Sequence, residues 1–460
     1  MDQNVFVLTV DSLNYAYFED GAKTITDEVD GVNYTKAIAA APKTKSAMPA
    51  LSSGVFADEL PGVGLPSSAE YQTLAETLQN EGYQTAMWSD NYLFGEEYNY
   101  NRGFEGGDQG GKSFKKELGR KLQNSPMAPA FGSIEWLYFS LYKPLVGSLS
   151  SEETLYRQAE ELHSDALSWL ESTNNGVTLV WIHYMDTHHP YEPPSKYLEA
   201  ESFNTVSGRS EIGQFTRSAI KSNGEGLSEE QIEDVVTAYK ASCHYLEDEV
   251  MRFIRELKKE GHFRPERDVL AFTADHGECL SPSKYGMMGH HPPAFWEDIL
   301  NVPLVIARPD WPTKTLNEQV SLIDFMPTIL ESVGASVPEG ITGNGESQPE
   351  DLFRKYAVSV SVADTIYRSI RDDSGRKISG VRNPDRSRNI HLSAEKEIPE
   401  REEIISTFEE EDQIEVPSES PDWQTLLNIS KDYGGPIEAS EIDVEENIDR
   451  EHLRNLGYLD

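Results

Sequence analysis

The stretch Val5-Phe6-Val7-Leu8-Thr9-Val10-Asp11-Ser12 carries the reading of the fold. A short apolar run with no polar alternation predicts a strand buried on both faces, and this one ends on an acid. Further strands are predicted at 85–88, 177–183, 269–273 and 302–307. Helical patterns stand between them. Residues 68–82 predict a helix with Leu74, Ala75 and Leu78 on one face and Gly82 past its end. Residues 155–170 predict a second. The strongest covers 228–261, where Ser228 and Gln231 form a capping box. There Ile232, Val235, Tyr239, Cys243, Leu246, Val250 and Leu257 recur at helical spacing. Asp324 is read as the cap of a helix running through Leu330. Strands alternating with helices predict an α/β fold: three layers, α/β/α, around a mostly parallel central sheet. In such sheets the reactive groups collect beyond the carboxyl ends of the strands.

Past residue 355 the texture changes. A strand is predicted at 357–362 and a hairpin turn at 371–376, and residues 395–460 carry 21 acidic against 5 basic side chains. These features predict a catalytic domain over 1–355 and a small acidic α+β subdomain over 356–460.

The whole chain of 460 residues holds 79 acidic and 40 basic side chains, a formal charge of −39. Such a surface repels nucleic acid and anionic lipid, so neither is an expected partner. It suits a source adapted to high salt. Hydrophobic residues at 38% and aromatics at 10% are too many for a disordered chain. Two cysteines, Cys243 and Cys279, give no disulfide framework. Met1-Asp2-Gln3-Asn4 lacks a basic start and a long apolar stretch, so no signal peptide is expected and a cytoplasmic location is. The apolar stretch 131–149 is broken by Glu135, Lys143 and Pro144, which predicts a buried or lid helix rather than a membrane span.

Chemistry concentrates where polar residues follow strands. Thr9-Val10-Asp11-Ser12, His183-Tyr184-Met185-Asp186-Thr187-His188-His189, Thr273-Ala274-Asp275-His276-Gly277-Glu278 and Gly289-His290-His291 are such places. Six of the eleven histidines fall within 183–189 and 276–291. Carboxylate with imidazole at strand ends suits a divalent cation. A nucleophile candidate lies in 41–54, where several hydroxyls precede a helix start that favours an anion. Composition alone does not choose among Thr44, Ser46, Ser52 and Ser53.

These residues resemble the sulfatases of the alkaline phosphatase superfamily, in the form common in haloarchaea. The resemblance covers roughly residues 4–335 and resumes at Leu453-Arg454-Asn455-Leu456-Gly457-Tyr458-Leu459. It is carried by Asn4 to Leu13, by Thr44 to Gly54, by Leu74 to Ala86 and by Arg102-Gly103-Phe104. Trp181-Ile182-His183-Tyr184-Met185-Asp186-Thr187-His188-His189-Pro190-Tyr191 is very like the family's central histidine motif, and Val302-Pro303-Leu304 and Asp324-Phe325-Met326-Pro327 follow in order.

The resemblance implies that Asp11, Asp275 and His276 bind one divalent metal ion (Mn²⁺, Mg²⁺, Ca²⁺ or Zn²⁺). It implies that Thr44, ten residues before Gly54, is the nucleophile and touches that ion. His188 and His290 would protonate or orient the leaving oxygen. The implied activity is metal-dependent hydrolysis, or transfer, of sulfate or phosphate esters, on an anionic small molecule or glycan. The chain departs from the Cys/Ser-x-Pro-x-Arg pattern that matures to formylglycine: Thr44, Ser46 and Met48 stand at its first, third and fifth places. A Thr nucleophile is what the phosphoryl-transferring relatives use. Ser12 stands where many sulfatases have a second Asp, and Asn14 where Arg is frequent. Lys45, Lys112 and Lys284 are candidates to grip the anion. These departures keep open an alternative, a member that binds a ligand or partner without turnover.

Overall fold

The computed structural model describes residues 3–60, 62, 64–66, 71–95, 98–109, 154–173, 176–289, 295–362, 366–374, 377–382 and 390–395. Among them eight strands form one sheet: β1 (Val5–Val10), β2 (Val32–Ile38), β3 (Gln84–Ser89), β4 (Gly106–Gln109), β5 (Thr178–Tyr184), β6 (Val269–Ala274), β7 (Asn301–Ala307) and β8 (Lys314–Ser321). Their order is β4-β3-β5-β1-β6-β7-β2-β8. Strand β7 runs antiparallel to β6 and β2, and the other pairings are parallel. The expected mostly parallel sheet is therefore present, with β7 reversed inside it. Apolar content marks a strand as buried but carries no direction. Between β6 and β7 the described residues hold two short helices, Pro282–Tyr285 and Glu297–Leu300, and no full crossover.

β1 lies at the centre, between β5 and β6, and every residue of all three is buried. Among the described residues the helices of seven or more residues are α1 (Glu19–Val29), α2 (Thr44–Ser53), α3 (Leu74–Asn80), α4 (Ala159–Ser172), α5 (Arg209–Lys221), α6 (Glu229–Lys259) and α7 (Phe325–Ser332). They form two packed groups, α1, α4, α5 and α6 around the long α6, and α2, α3 and α7. This is the three-layer arrangement read from the sequence. The capping box of α6 is present: the Gln231 backbone N–H donates to Ser228 Oγ (3.3 Å) and the Ser228 N–H donates to Gln231 Oε1 (3.0 Å).

Three helix starts differ from expectation. The helix expected over 155–170 is α4, Ala159–Ser172. The helix expected over 68–82 begins at Leu74, because Thr73 accepts from the Glu76 N–H at 3.0 Å and Glu76 reaches back to the Thr73 N–H at 2.9 Å. The first part of that span, 68–70, lies outside the described residues. Asp324 precedes α7 but does not cap it. Its carboxylate takes two hydrogen bonds from Arg354, at 2.6 and 2.7 Å, and one from the Asn344 N–H at 2.8 Å. A long-range guanidinium outbids a local amide for the same oxygens.

A second, antiparallel sheet follows, in the order β12-β11-β10-β9: β9 (Tyr356–Val362), β10 (Ile366–Asp372), β11 (Lys377–Arg382) and β12 (Ile390–Glu395). After β10, Asp372 Oδ1 accepts from the N–H and Oγ of Ser374, a side-chain turn of the kind expected at 371–376. Strand β9 docks beside α2: the Val360 N–H donates to the Ala40 carbonyl (2.8 Å), Ser359 Oγ to the Ala39 carbonyl (2.6 Å), and the Val362 N–H to Ser46 Oγ (3.2 Å). The apolar stretch 131–149, Lys112, His290 and the acidic segment from 396 onward lie outside the described residues. No described helix is long and apolar enough to cross a membrane.

Candidate active site

The site forms where the carboxyl ends of β1, β5 and β6 meet the N-terminus of α2. Asp11 follows β1, and Asp275 and His276 follow β6. Thr44 is the first residue of α2, after Lys43 in extended backbone, so its hydroxyl sits where the helix favours negative charge. One ligand atom from each of Asp11, Asp275 and His276 lies within 4.8 Å of the others. Thr44 Oγ1 is 3.2 Å from Asp11 Oδ2 and 3.3 Å from His276 Nε2. All four side chains are buried.

Local bonds fix the donor atoms. His276 Nδ1 lies 2.8 Å from the Gly277 carbonyl, which only accepts, so Nδ1 carries the hydrogen and Nε2 presents its lone pair inward. Ser12 adopts φ +63°, rare for a residue with a Cβ. That conformation is held by its N–H to Asp275 Oδ1 (3.2 Å), its Oγ to Asp11 Oδ1 (2.8 Å) and Tyr239 OH donating to its carbonyl (2.7 Å). Strain of this kind persists where the surroundings over-determine it. Ser12, at the place of a second acid in many relatives of this pattern, thus ties Asp11 to Asp275.

The residues present fit a divalent cation. Asp275 Oδ2 is buried with no hydrogen-bond partner. Burial and the nearby Asp11 carboxylate push Asp275 up to about 8. Burial also works against ionised Asp11, yet His188, His183 and His276 hold it well below the usual carboxylate range. Two buried carboxylates, one imidazole lone pair and a hydroxyl form a hard-to-borderline donor set.

His188 follows β5 and is fully buried. Its Nδ1 lies 2.7 Å from the His189 carbonyl and 3.4 Å from Tyr156 OH, so Nδ1 carries a hydrogen. His188 leads the histidines that lower Asp11.

The other expected anion-gripping residues are placed as follows. Lys45 follows Thr44 on α2 and is half-buried. Lys284 Nζ donates to Tyr285 OH at 2.6 Å. Met48, at the Arg place of the formylglycine pattern, is buried in the main core. Asn14 serves the loop: its Oδ1 accepts from the Ala16 N–H (2.8 Å) and its Nδ2 donates to the Glu278 carbonyl (3.3 Å).

Three buried residues join the site without having been singled out. Asn91 Nδ2 donates to Asp11 Oδ2 at 2.9 Å. It follows β3, and its signal was the polar Ser89-Asp90-Asn91 after an apolar run. His183 Nε2 lies 3.5 Å from Asp11 Oδ2. Glu278, pushed up to about 7 by burial against the pull of His188 and His276, accepts from Tyr191 OH at 3.2 Å. Both stood in the polar runs already noted.

The sulfatase family profile matches residues 3–335. A 177-residue stretch is 25% identical to the uncharacterized sulfatase YidJ of Escherichia coli, covering 36% of this chain and 33% of that protein. The chain thus aligns with about a third of the length of that curated relative. A phosphonate monoester hydrolase from Silicibacter pomeroyi superposes with a TM-score of 0.62 at 16% identity, over 94% of each chain. A protein solved in complex with its substrate D-glucosamine-2-N,6-O-disulfate gives 0.61 at 15% identity, over 86% of this chain and 91% of its own. At such identities the two superpositions speak for a shared fold. The profile covers most of the chain, and the protein belongs to the sulfatase family.

Proposed function

We propose that this protein is a metal-dependent hydrolase of sulfate or phosphate esters, with Thr44 as nucleophile. The observation that carries the proposal is the Thr44 hydroxyl at the helix start, within 3.2–3.3 Å of two of the three residues suited to hold a cation. Asp11, Asp275 and His276, with Thr44, would hold it. A bound divalent cation supplies Lewis acidity that lowers the pKa of a nearby hydroxyl and offsets charge on a sulfuryl or phosphoryl group.

The chain's own groups supply the rest. The α2 N-terminus favours the Thr44 oxyanion and the incoming anion. Thr44 Oγ1, after losing its proton, bonds to sulfur or phosphorus as the bond to the ester oxygen breaks. His188 gives the leaving oxygen its proton through Nε2. Water then releases sulfate or phosphate from Thr44 and restores the hydroxyl. His290 is proposed as a second group at the leaving oxygen. A Thr nucleophile favours phosphorus, and the fold is shared with a phosphonate monoester hydrolase and with a protein that takes a disulfated glucosamine. An anionic ester of a small molecule or glycan is the proposed substrate class.

The test removes metal from the full chain by chelation. Mn²⁺, Mg²⁺, Ca²⁺ or Zn²⁺ is then restored, with aryl sulfate, phosphate monoester, diester and phosphonate substrates. Metal-dependent turnover of at least one is expected, and Thr44→Ala should reduce it to background. No metal-dependent turnover on any of the four would sink the proposal and leave binding without turnover. Full activity in Thr44→Ala would remove Thr44 from its role.

A further inference from the structure

His183 belongs to the histidine run of β5, yet the mechanism above does not use it. It pairs with Thr9 across the parallel β1–β5 ladder, and Trp181 stands two residues before it. Residues two apart share a sheet face, so Trp181 and His183 on β5 lie on one face, and Thr9 is the β1 residue that pairs with His183 one step short of the end of β1. These three side chains and that of Asp11 are buried. Trp181 Nε1 donates to Thr9 Oγ1 at 2.8 Å. Thr9 Oγ1 lies 2.9 Å from His183 Nδ1, and only 3.4 Å from its other acceptor, the Ile182 carbonyl. His183 Nε2 has no hydrogen-bond partner and faces Asp11 Oδ2 at 3.5 Å.

Indole N–H only donates, so Trp181 fills one of the two lone pairs of the Thr9 hydroxyl and leaves its hydrogen to be given elsewhere. With one lone pair taken, the Thr9 hydroxyl is placed to spend its hydrogen on His183 Nδ1, the nearer acceptor. The ring hydrogen then sits on Nε2, pointing at Asp11. A doubly protonated ring would also carry hydrogen on Nε2. The remaining tautomer would turn a bare lone pair toward a carboxylate.

We infer that Trp181, Thr9 and His183 form a directed hydrogen-bond line that positions Asp11 for cation binding. The inference rests on the reading of Asp11 as a cation ligand. His183 is in this sense a positioning residue. Partners behind a metal ligand fix its orientation, and their loss costs about 10–100-fold in metal affinity or activity. Phe94, whose ring centroid is 4.7 Å from that of His183, keeps the imidazole in place from the side.

The test titrates Mn²⁺ alone into the full-length chain and its variants by calorimetry, with circular dichroism and a thermal melt as fold controls. His183→Phe should weaken Mn²⁺ binding about 10-fold or more. His183→Gln, which keeps an N–H near the Nε2 position, should recover most of that loss. Thr9→Val and Trp181→Phe remove one donor each at nearly constant shape, and each should weaken binding several-fold. Combining Thr9→Val with His183→Phe should cost no more than His183→Phe alone, because the line is already cut. A folded His183→Phe with unchanged affinity overturns the inference, as does strict additivity in the double variant. Should His183→Phe not fold, unchanged affinity in both Thr9→Val and Trp181→Phe overturns it equally. Asp11→Asn is the separate control: normal Mn²⁺ binding there would defeat the underlying cation-site reading instead.

Discussion

In the proposed mechanism Thr44 would draw its reactivity from its neighbours, since its hydroxyl is ordinary in isolation. The same would hold for His188, whose Nδ1 is engaged by the His189 carbonyl and whose Nε2 is proposed to protonate the leaving oxygen. His188→Ala is expected to lower kcat about 10²–10⁴-fold on esters with poor alkyl leaving groups, and much less on nitrophenyl esters, whose oxygen leaves unprotonated. Equal losses on both classes would argue against a leaving-group role. A second buried histidine predicts the acid limit of stability. His163 stacks on Phe253 (centroids 4.3 Å apart) and lies 2.8 Å from Tyr184 OH, and burial, then Arg252, depress it to about 3. Its folded pKa is below the unfolded value of about 6.5, so the unfolded chain binds the extra proton. Its contribution is therefore full above about pH 6.5 and declines toward pH 3, on the order of 1 kcal/mol per unit. His163→Phe should flatten that slope in melts between pH 7 and 4, and an unchanged slope would assign the acid limit elsewhere.

At the scale of elements, local signals and distant partners compete for the same polar atoms. Thr73 and Glu76 win locally and start α3; Thr73→Ala should cost about 1 kcal/mol in a urea unfolding curve. Asp324 has the look of a cap but is claimed by Arg354, in a pair whose Asp side chain is 1% and Arg side chain 27% exposed. Arg354→Met leaves that carboxylate buried with the Asn344 N–H as its remaining strong donor, and should cost about 3 kcal/mol. A loss near that of Thr73→Ala would mean the pair contributes no more than a cap. The reversal of β7 is of the same kind: its residues say buried strand, and its neighbours decide direction.

For the whole molecule, the second sheet packs on α2 and its neighbouring loops. Val358, Val360, Ile366 and Ile370 share one apolar cluster with Ala40, Ala50, Phe56 and Ile323. β9 also bonds to the backbone just before α2 and to Ser46 two residues past Thr44. A chain ended at residue 355 would expose that cluster, at about 1.5–3 kcal/mol for each large aliphatic side chain uncovered. We therefore expect such a chain to lose cooperative unfolding and turnover together. A sharp melt at the full-length temperature would instead support the division at 355 into separate folding units. The charge of −39 gives the remaining prediction. Its self-repulsion is screened within about 3 Å at 1 M salt against about 10 Å at 0.1 M, so the melting temperature should rise into molar salt. A melt indifferent to salt would count against the proposed adaptation to saline conditions.

The sequence by itself determined the layered α/β class, the strand cores, the long capped helix and the ordered motifs that point to Asp11, Thr44, Asp275, His276 and His188. Apolar period and strand-end polarity are local properties, and so they are legible in one dimension. Only the tertiary structure decided the direction of β7, the capture of Asp324 by Arg354, and the docking of β9 against α2. It alone brought Asn91, from the far strand β3, onto the same oxygen of Asp11 that Thr44 approaches. It alone gave His183 its place behind Asp11. Those outcomes depend on which donors meet which acceptors across separations from 30 to 316 residues. Hydrogen bonds and charge pairs act over a few ångströms of space, so residue spacing along the chain leaves their partners undetermined.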